Sequence, residues 1–183
     1  MPEFANIVPG RLWQVKNLLT PDQVEQILET DWMSLPWSNS PQQRDWRRRE
    51  IAWDSSEKQN ISQYFDHQLD NINQVLGTDF TQNNVQFWID LPGFECNMHT
   101  DGHLPNSLQM YWIVPGPDYG TGFYHYKNKN SLLYQFKSVC NTGYMMLNHL
   151  NDDGSQPLQW HGMFNAVPNG TIRVSSYQRF DYR

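Results

Sequence analysis

Eight short segments rich in β-branched and aromatic residues follow one another after residue 82, separated by clusters of Gly, Pro, Asn and Asp. Val, Ile, Tyr, Phe and Trp favour strands, and the separating residues favour turns. No apolar pattern with helical spacing lies among these segments, so we expect strands packed as two sheets. The predicted strands are 83–90, 95–101, 107–114, 121–126, 132–138, 143–148, 159–166 and 171–180.

The earlier part of the chain has helical signals instead. Thr20, Pro21 and Gln23 match an N-cap, a proline in the first turn and a capping box, which predicts a helix over about 21–31. A longer stripe of apolar side chains at helical spacing predicts a second helix over about 56–76, which ends before a glycine.

The length of 183 residues favours one domain, in which residues 1–80 supply helical support and entrance elements and residues 81–183 form the β core. Aromatic residues make up 14% of the chain, so a few large rings can supply much of the core. We predict a mainly β fold with N-terminal helices, of jelly-roll or cupin-like architecture.

Charge and cysteine content exclude several classes of protein. The formal net charge is −6 and there is no long run of Lys and Arg, so we expect no nucleic-acid partner. No apolar stretch is long enough for a membrane span, and the first ten residues lack the pattern of a signal peptide, so we expect a cytoplasmic location. Cys96 and Cys140 match no zinc or redox spacing and are expected to be reduced.

The most informative motif is the pair His99 and Asp101 in a predicted strand. Residues two apart in a strand point to the same face, so both side chains can reach one metal ion. The pair alone is weak, because a surface pair at the end of a strand has the same spacing. A metal site needs further ligands from elsewhere in the chain.

His161 supplies a third ligand, 62 positions after His99, at the start of a later predicted strand. Two histidines and one carboxylate form a face that leaves positions open on an octahedral Fe(II). His149 is the competing histidine, but it precedes an apparent exposed turn and lies 24 positions before Arg173. We therefore choose His161 as the ligand.

Arg173 and Ser175 follow His161 in a segment of alternating character, and both are expected on the inner face of the last strand. An arginine directed into a barrel needs an anion, because an unpaired buried charge is very costly. A dicarboxylate cosubstrate supplies such an anion, since the guanidinium fork fits a carboxylate and the serine hydroxyl adds a hydrogen bond.

The chain resembles the Fe(II)- and 2-oxoglutarate-dependent oxygenases, in particular the prolyl-hydroxylase-like branch. The resemblance is carried by three motifs in the same order: His99-x-Asp101, His161 and Arg173-x-Ser175. The fold of that family is the double-stranded β-helix. One departure is that the first Gly-Gly turn of the family is Gly-Thr-Gly here. The resemblance extends over about residues 83–180 and includes the segments 108–113, 120–124 and 145–148.

The resemblance implies a role for each candidate residue. Tyr111 is the candidate for a hydroxyl at the distal cosubstrate carboxylate, although a register slip of one residue would bring in Trp112, and Tyr124 is the alternative. The family pattern implies Fe(II) held by His99, Asp101 and His161, and 2-oxoglutarate chelating the metal with its far carboxylate bound by Arg173, Ser175 and Tyr111.

The implied reaction consumes dioxygen and hydroxylates a C–H bond, with release of succinate and carbon dioxide and with ascorbate as a possible support. The expected substrate is a peptidyl, prolyl-type or amino-acid side chain, and a small metabolite is the alternative. Asp101 argues against the halogenating relatives, which have a small residue there. A non-enzymatic metal-binding cupin and an interaction module that retains only the scaffold stay open, and Arg173 argues against the former.

Substrate recognition is expected outside the core strands. Trp46–Trp53 contains three consecutive arginines between aromatic residues, and we predict that it borders the cleft. In a strand, Arg48 would face one side and its two arginine neighbours the other. His103 and His125 are expected at the rim of the pocket or on the surface.

Overall fold

The computed structural model describes residues 1–38, 45–52, 55–101, 106–147 and 160–182. Within these ranges the chain forms eleven strands, three α-helices and two short 3-10 helices. The helices are α1 (Pro21–Glu29), α2 (Ser56–Asp66) and α3 (Leu69–Leu76), and the 3-10 helices are Pro117–Tyr119 and Lys129–Ser131. The strands are β1 (Glu3–Val8), β2 (Leu12–Lys16), β3 (Trp37–Ser38), β4 (Arg48–Ile51), β5 (Phe80–Asp90), β6 (Asn106–Ile113), β7 (Thr121–Tyr124), β8 (Leu132–Phe136), β9 (Thr142–Met146), β10 (Trp160–Met163) and β11 (Arg173–Tyr182).

The strands form one large and one small antiparallel sheet. The large sheet has the order β1-β2-β9-β6-β11-β5-β4-β3, and the small sheet has the order β10-β7-β8. Tyr111 and Tyr144 of the large sheet pack against Phe123 and Phe136 of the small sheet, so the two inner faces enclose one core. The fold is therefore a jelly roll, as the sequence predicts.

The helices cover the outer face of the large sheet. Phe65 of α2 makes edge contacts with Phe87 of β5 and Trp112 of β6, at ring distances of 5.9 and 5.8 Å. Ile27 of α1 and Ile72 of α3 belong to the same buried cluster. This layer fixes the register of the central strands. Trp112 faces the helices, so Tyr111 beside it faces the barrel interior.

The predicted helices are confirmed in position, with one correction. The first helix begins at the predicted capping box of Thr20 and Gln23. The second predicted helix is two helices, α2 and α3, separated at residues 67–68, and their apolar stripes continue across the break because both pack on the same sheet. Gly77 ends α3 in the left-handed conformation, with φ of 65°, as expected of a glycine C-cap.

Two strand predictions were wrong. Residues 95–101 form no continuous strand, but an extended segment with a single bridge between His99 and His161. The strands β1 and β2, a hairpin on the edge of the large sheet, lie in the part expected to be helical, whereas β4 lies in the arginine segment for which a strand was considered. The partly exposed, mixed sequences of β1 and β2 carry little of the apolar signal of a central strand.

None of the helices in the described part of the chain has the length and apolarity that a membrane span requires.

Candidate active site

The side chains of His99, Asp101 and His161 converge between the two sheets. Asp101 Oδ1 lies 3.3 Å from His99 Nε2, and Asp101 Oδ2 lies 3.4 Å from His161 Nε2. One ligand atom from each of the three residues lies within 4.8 Å of the others. Two imidazole nitrogens and a carboxylate at this spacing fit a divalent transition metal such as Fe(II).

Backbone pairing brings the two histidines together across the sequence. The His99 amide donates to the His161 carbonyl and the His161 amide donates to the His99 carbonyl, each at 2.8 Å. Gly162 makes this approach possible, because a Cβ there would lie 2.9 Å from the Cys96 carbonyl oxygen and 3.0 Å from the Met98 backbone. The extended segment thus supplies two ligands although it is not a strand of either sheet.

The surroundings orient both imidazoles. His99 Nδ1 lies 2.7 Å from the Asn97 carbonyl oxygen, so Nδ1–H donates to it and Nε2 faces Asp101. The hydrogen bond to Asp101 makes the largest contribution to raising the pKa of His99, to about 10 in the metal-free protein, and the hydrogen bond to the Cys96 thiol makes the second largest. The ring of His161 is buried and stacks on Phe123 at 5.2 Å.

A cavity of about 190 Å³ lies beside this triad, and Arg173 forms part of its wall. The guanidinium is only 1% exposed and is already paired: its Nε and Nη2 donate to Asp90 Oδ2 at 2.9 and 2.6 Å. Its Nη1 donates to the Tyr119 carbonyl at 2.9 Å. Burial of Arg173 therefore does not require a cosubstrate anion, contrary to the expectation from the sequence, because Asp90, directly opposite on β5, provides the counter-ion.

Asp90 is shared with a second arginine. Arg48 of β4 donates to both Asp90 oxygens at 2.5 and 2.9 Å, and its guanidinium lies 4.5 Å from the Trp88 ring centroid and 4.3 Å from that of Phe94. The two guanidinium groups hold the pKa of Asp90 below its usual value, although burial alone would raise it. Two cations thus share one anion, so this end of the cavity keeps a positive charge that can attract a carboxylate.

Ser175 and Tyr111, the other candidates for the cosubstrate site, lie on the inner faces of β11 and β6, as the alternation of each strand predicts. The Ser175 hydroxyl is buried and has no hydrogen-bond partner within the described residues. Tyr111 is fully buried on the inner face, its hydroxyl lies 2.7 Å from Thr121 Oγ1, and Arg173 lies 5.9 Å from its ring centroid. Trp112 faces the helices instead, so the register selects Tyr111.

Tyr124, the alternative, lines a different pocket on the outer side of the small sheet. Its hydroxyl lies close to Gly122, where the Gly-Thr-Gly turn departs from the family pattern. Thr121 of the same turn lines the cavity and contacts Tyr111. The structure therefore places Tyr111, and not Tyr124, beside Arg173.

The arginines of the run 47–49 alternate between two sides of the chain. Arg48 is buried and lines the cavity, whereas Arg47 pairs with Asp45 and donates to the Gly93 carbonyl. His125 is exposed and is not among the residues that line the cavity. Three residues considered from the sequence, Trp53, His103 and His149, lie outside the described residues.

Sequence reasoning missed several residues of the cavity. Tyr144 donates to Gln109 Oε1 at 2.6 Å, and burial raises the pKa of this tyrosine well above its usual range. Gln109 is two positions before Tyr111, so the same alternation that selects Tyr111 also points to it. Asp90 has a visible signal as well, since it is a lone carboxylate at the end of an apolar strand.

The protein has the fold of the 2-oxoglutarate- and Fe(II)-dependent oxygenases, prolyl hydroxylases among them. It is similar to the viral collagen prolyl hydroxylase of Paramecium bursaria Chlorella virus-1 (12% identity, TM-score 0.64, 94% of this chain and 96% of that chain). It is also similar to a Pseudomonas putida prolyl-4-hydroxylase (18%, TM-score 0.57, 94% and 92%). HygX from Streptomyces hygroscopicus, with nickel and 2-oxoglutarate bound, matches as well (8%, TM-score 0.65, 93% and 82%). No protein-family model and no curated protein matches the sequence.

Proposed function

We propose that the protein is an Fe(II)- and 2-oxoglutarate-dependent dioxygenase that hydroxylates a C–H bond. The observation that carries the proposal is the convergence of His99, Asp101 and His161 at the edge of a cavity that also contains Arg173. When bound, Fe(II) with 2-oxoglutarate and dioxygen supplies the oxidation, and succinate and carbon dioxide are released. A cupin that only binds metal needs the triad but no cationic cavity beside it.

The residues of the chain have separate roles in this proposal. His99, Asp101 and His161 hold the metal, while the shared positive charge of Arg48 and Arg173 attracts the far carboxylate of 2-oxoglutarate. The buried Ser175 hydroxyl, which lacks a hydrogen-bond partner among the described residues, donates to the same carboxylate. Trp88, Tyr144 and Tyr177 add aromatic surface to an otherwise polar cavity wall.

A peptidyl, prolyl-type or amino-acid side chain is the proposed substrate. The likeness to two prolyl hydroxylases supports it. A small metabolite is the second candidate, because HygX, with a TM-score of 0.61, has been solved with hygromycin B bound. We further propose a cytoplasmic location and support of activity by ascorbate.

The test is calorimetric titration of 2-oxoglutarate into the Mn(II)-loaded protein, with Arg173→Lys and Ser175→Ala beside the parent. We expect saturable binding at one site per chain, and weaker binding in both variants. Lysine keeps the charge but loses the planar fork, so Arg173→Lys should weaken binding about tenfold or more. Arg49→Gln is the matched control, since Arg49 does not line the cavity.

Thermal unfolding of each variant establishes that it is folded before titration, because Arg173 also pairs with Asp90. Absence of 2-oxoglutarate binding to the parent would refute the proposed function. Equal affinity in Arg173→Lys, Ser175→Ala and the parent would show that the dicarboxylate binds elsewhere.

A further inference from the structure

A third arginine, Arg179 in the second half of β11, also lines the cavity. Arg173, Ser175, Tyr177 and Arg179 alternate along the strand and share its inner face. Six positions of extended chain separate the two arginines, which is about 20 Å. Both line the cavity, which therefore has two cations along the inner face of the strand.

Arg179 differs from Arg173 in having no close counter-ion among the described residues. Arg173 pairs with Asp90, whereas no ion pair within 4.0 Å joins Arg179 to any carboxylate in that part of the chain. Its Nε is buried and has no hydrogen-bond partner there. Arg179 interacts electrostatically with Asp101 of the metal triad, since its positive charge contributes to lowering the pKa of that carboxyl.

The cavity wall at Tyr177, two positions before Arg179 on the same face of β11, presents a further donor. The rings of Tyr177 and Trp88 stack at 5.2 Å with an interplanar angle of 18°. Trp88 Nε1 is also buried without a hydrogen-bond partner in the described ranges. Leaving a buried N–H unpaired costs about 1–3 kcal/mol, so this wall favours a ligand that accepts hydrogen bonds.

The charge of the loaded cavity leads to the same conclusion. Among the described residues, Arg48, Arg173 and Arg179 provide three positive charges, and Asp90 and Asp101 provide two negative charges. A divalent metal and a 2-oxoglutarate dianion cancel each other. One positive charge is left among these groups, and we assign it to Arg179, because Arg48 and Arg173 already share Asp90 and face the cosubstrate.

We propose that the substrate carries a carboxylate that binds to Arg179 and thereby places the C–H bond to be oxidised near the metal. This inference rests on the proposed function, since it assumes that metal and cosubstrate fill the rest of the cavity. The planar guanidinium matches a carboxylate through two parallel hydrogen bonds.

The test uses acetate as the probe and the protein saturated with Mn(II) and 2-oxoglutarate. The paramagnetic metal accelerates the NMR relaxation of methyl protons that bind near it. We expect saturable relaxation enhancement for acetate and none for acetamide. In Arg179→Gln the acetate dissociation constant should rise about tenfold, as the loss of a charged hydrogen bond implies, while Arg179→Lys should retain part of the binding.

Arg49→Gln is again the control and should behave like the parent. Acetate enhancement that is unchanged in Arg179→Gln would show direct coordination to the metal and overturn the proposal. Equal behaviour of acetate and acetamide would overturn it as well. If Arg179→Gln proves unfolded by circular dichroism, the charge-retaining Arg179→Lys and the acetamide comparison still decide.

Failure of the proposed function has a different signature in the same samples. The protons of 2-oxoglutarate would then show no enhanced relaxation from Mn(II). Acetate binding is in that case followed in the metal-free protein by saturation transfer from protein protons. A dependence on Arg179 in that measurement supports the carboxylate site, and its absence refutes it.

Discussion

Asp90→Asn is the perturbation that most sharply separates the structural from the binding role of the arginine cluster. Asp90 is 0% exposed and accepts four hydrogen bonds, two from Arg48 and two from Arg173, at 2.5–2.9 Å. Asparagine has nearly the same shape but no charge, and it presents an amide donor to one of the two guanidinium groups. Two buried cations then face each other without a counter-ion.

Removing one partner of a buried ion pair costs about 3–5 kcal/mol. That is a large part of the roughly 5–15 kcal/mol by which a domain is stable. Urea unfolding followed by Trp fluorescence should therefore show a lower midpoint with an unchanged slope. A loss below about 1 kcal/mol would refute the assignment of Asp90 as the shared counter-ion.

The difference between parent and variant should depend on pH in a defined direction. The folded-state pKa of Asp90 is lowered, so its stabilising contribution is present above the unfolded pKa of about 3.9 and is lost as the pH falls through the folded value. The two unfolding free energies should therefore converge only in acid. A difference that stays constant down to the lowest accessible pH would contradict an ionised Asp90.

The same variant tests the anion site. With Asp90 neutral, Arg48 and Arg173 have no other paired anion among the described residues, so added 2-oxoglutarate should raise the melting temperature of Asp90→Asn more than that of the parent. A ligand at 100 times its dissociation constant stabilises by about 2.7 kcal/mol. Equal shifts, or none in either protein, would show that 2-oxoglutarate does not bind at this cluster.

Three further predictions concern other parts of the molecule. Burial lowers the pKa of Lys58 to about 8, so the charged form destabilises the folded protein fully below that pH. The unfolding free energy of the parent, relative to that of Lys58→Met, should therefore rise between pH 8 and 10.5. Urea titrations at each pH can check this. Tyr111→Phe removes a buried hydroxyl bonded to Thr121 and should lower the unfolding free energy by about 1–3 kcal/mol and weaken 2-oxoglutarate binding in calorimetry. Gly143→Ala places a Cβ 1.9 Å from the Gln109 carbonyl oxygen between β6 and β9 and should cost about 3 kcal/mol or more in urea unfolding; a near-neutral result would contradict the strand spacing.

Much of the β core was predictable because the signals are local. The strands from β5 onward were predicted in order, and the inner face of β11 followed from the alternation of Arg173 and Ser175. The capping box before α1 and the glycine after α3 located the helix ends. These features depend on residues close together in the sequence, so local patterns are enough to predict them.

What the sequence did not predict depends on contacts between distant segments. His99 and His161 were predicted as ligands, but the backbone bridge that joins them depends on a close approach at Gly162, and no local propensity requires a strand there. The pairing of Arg173 with Asp90 arises from the register of β11 on β5, over a separation of 83 residues. The edge strands β1 and β2 acquire their structure from the sheet they extend, not from their own composition.

The central claim is tested most directly by measuring succinate formed from 2-oxoglutarate in the presence of Fe(II), dioxygen and ascorbate. We expect the parent to form succinate above the rate without protein, and candidate carboxylate-bearing substrates to increase that rate. Asp101→Ala should abolish the protein-dependent rate, because it removes the only carboxylate of the triad, whereas Arg49→Gln should retain it. Absence of protein-dependent succinate with the parent, or an equal rate in Asp101→Ala, would contradict the account.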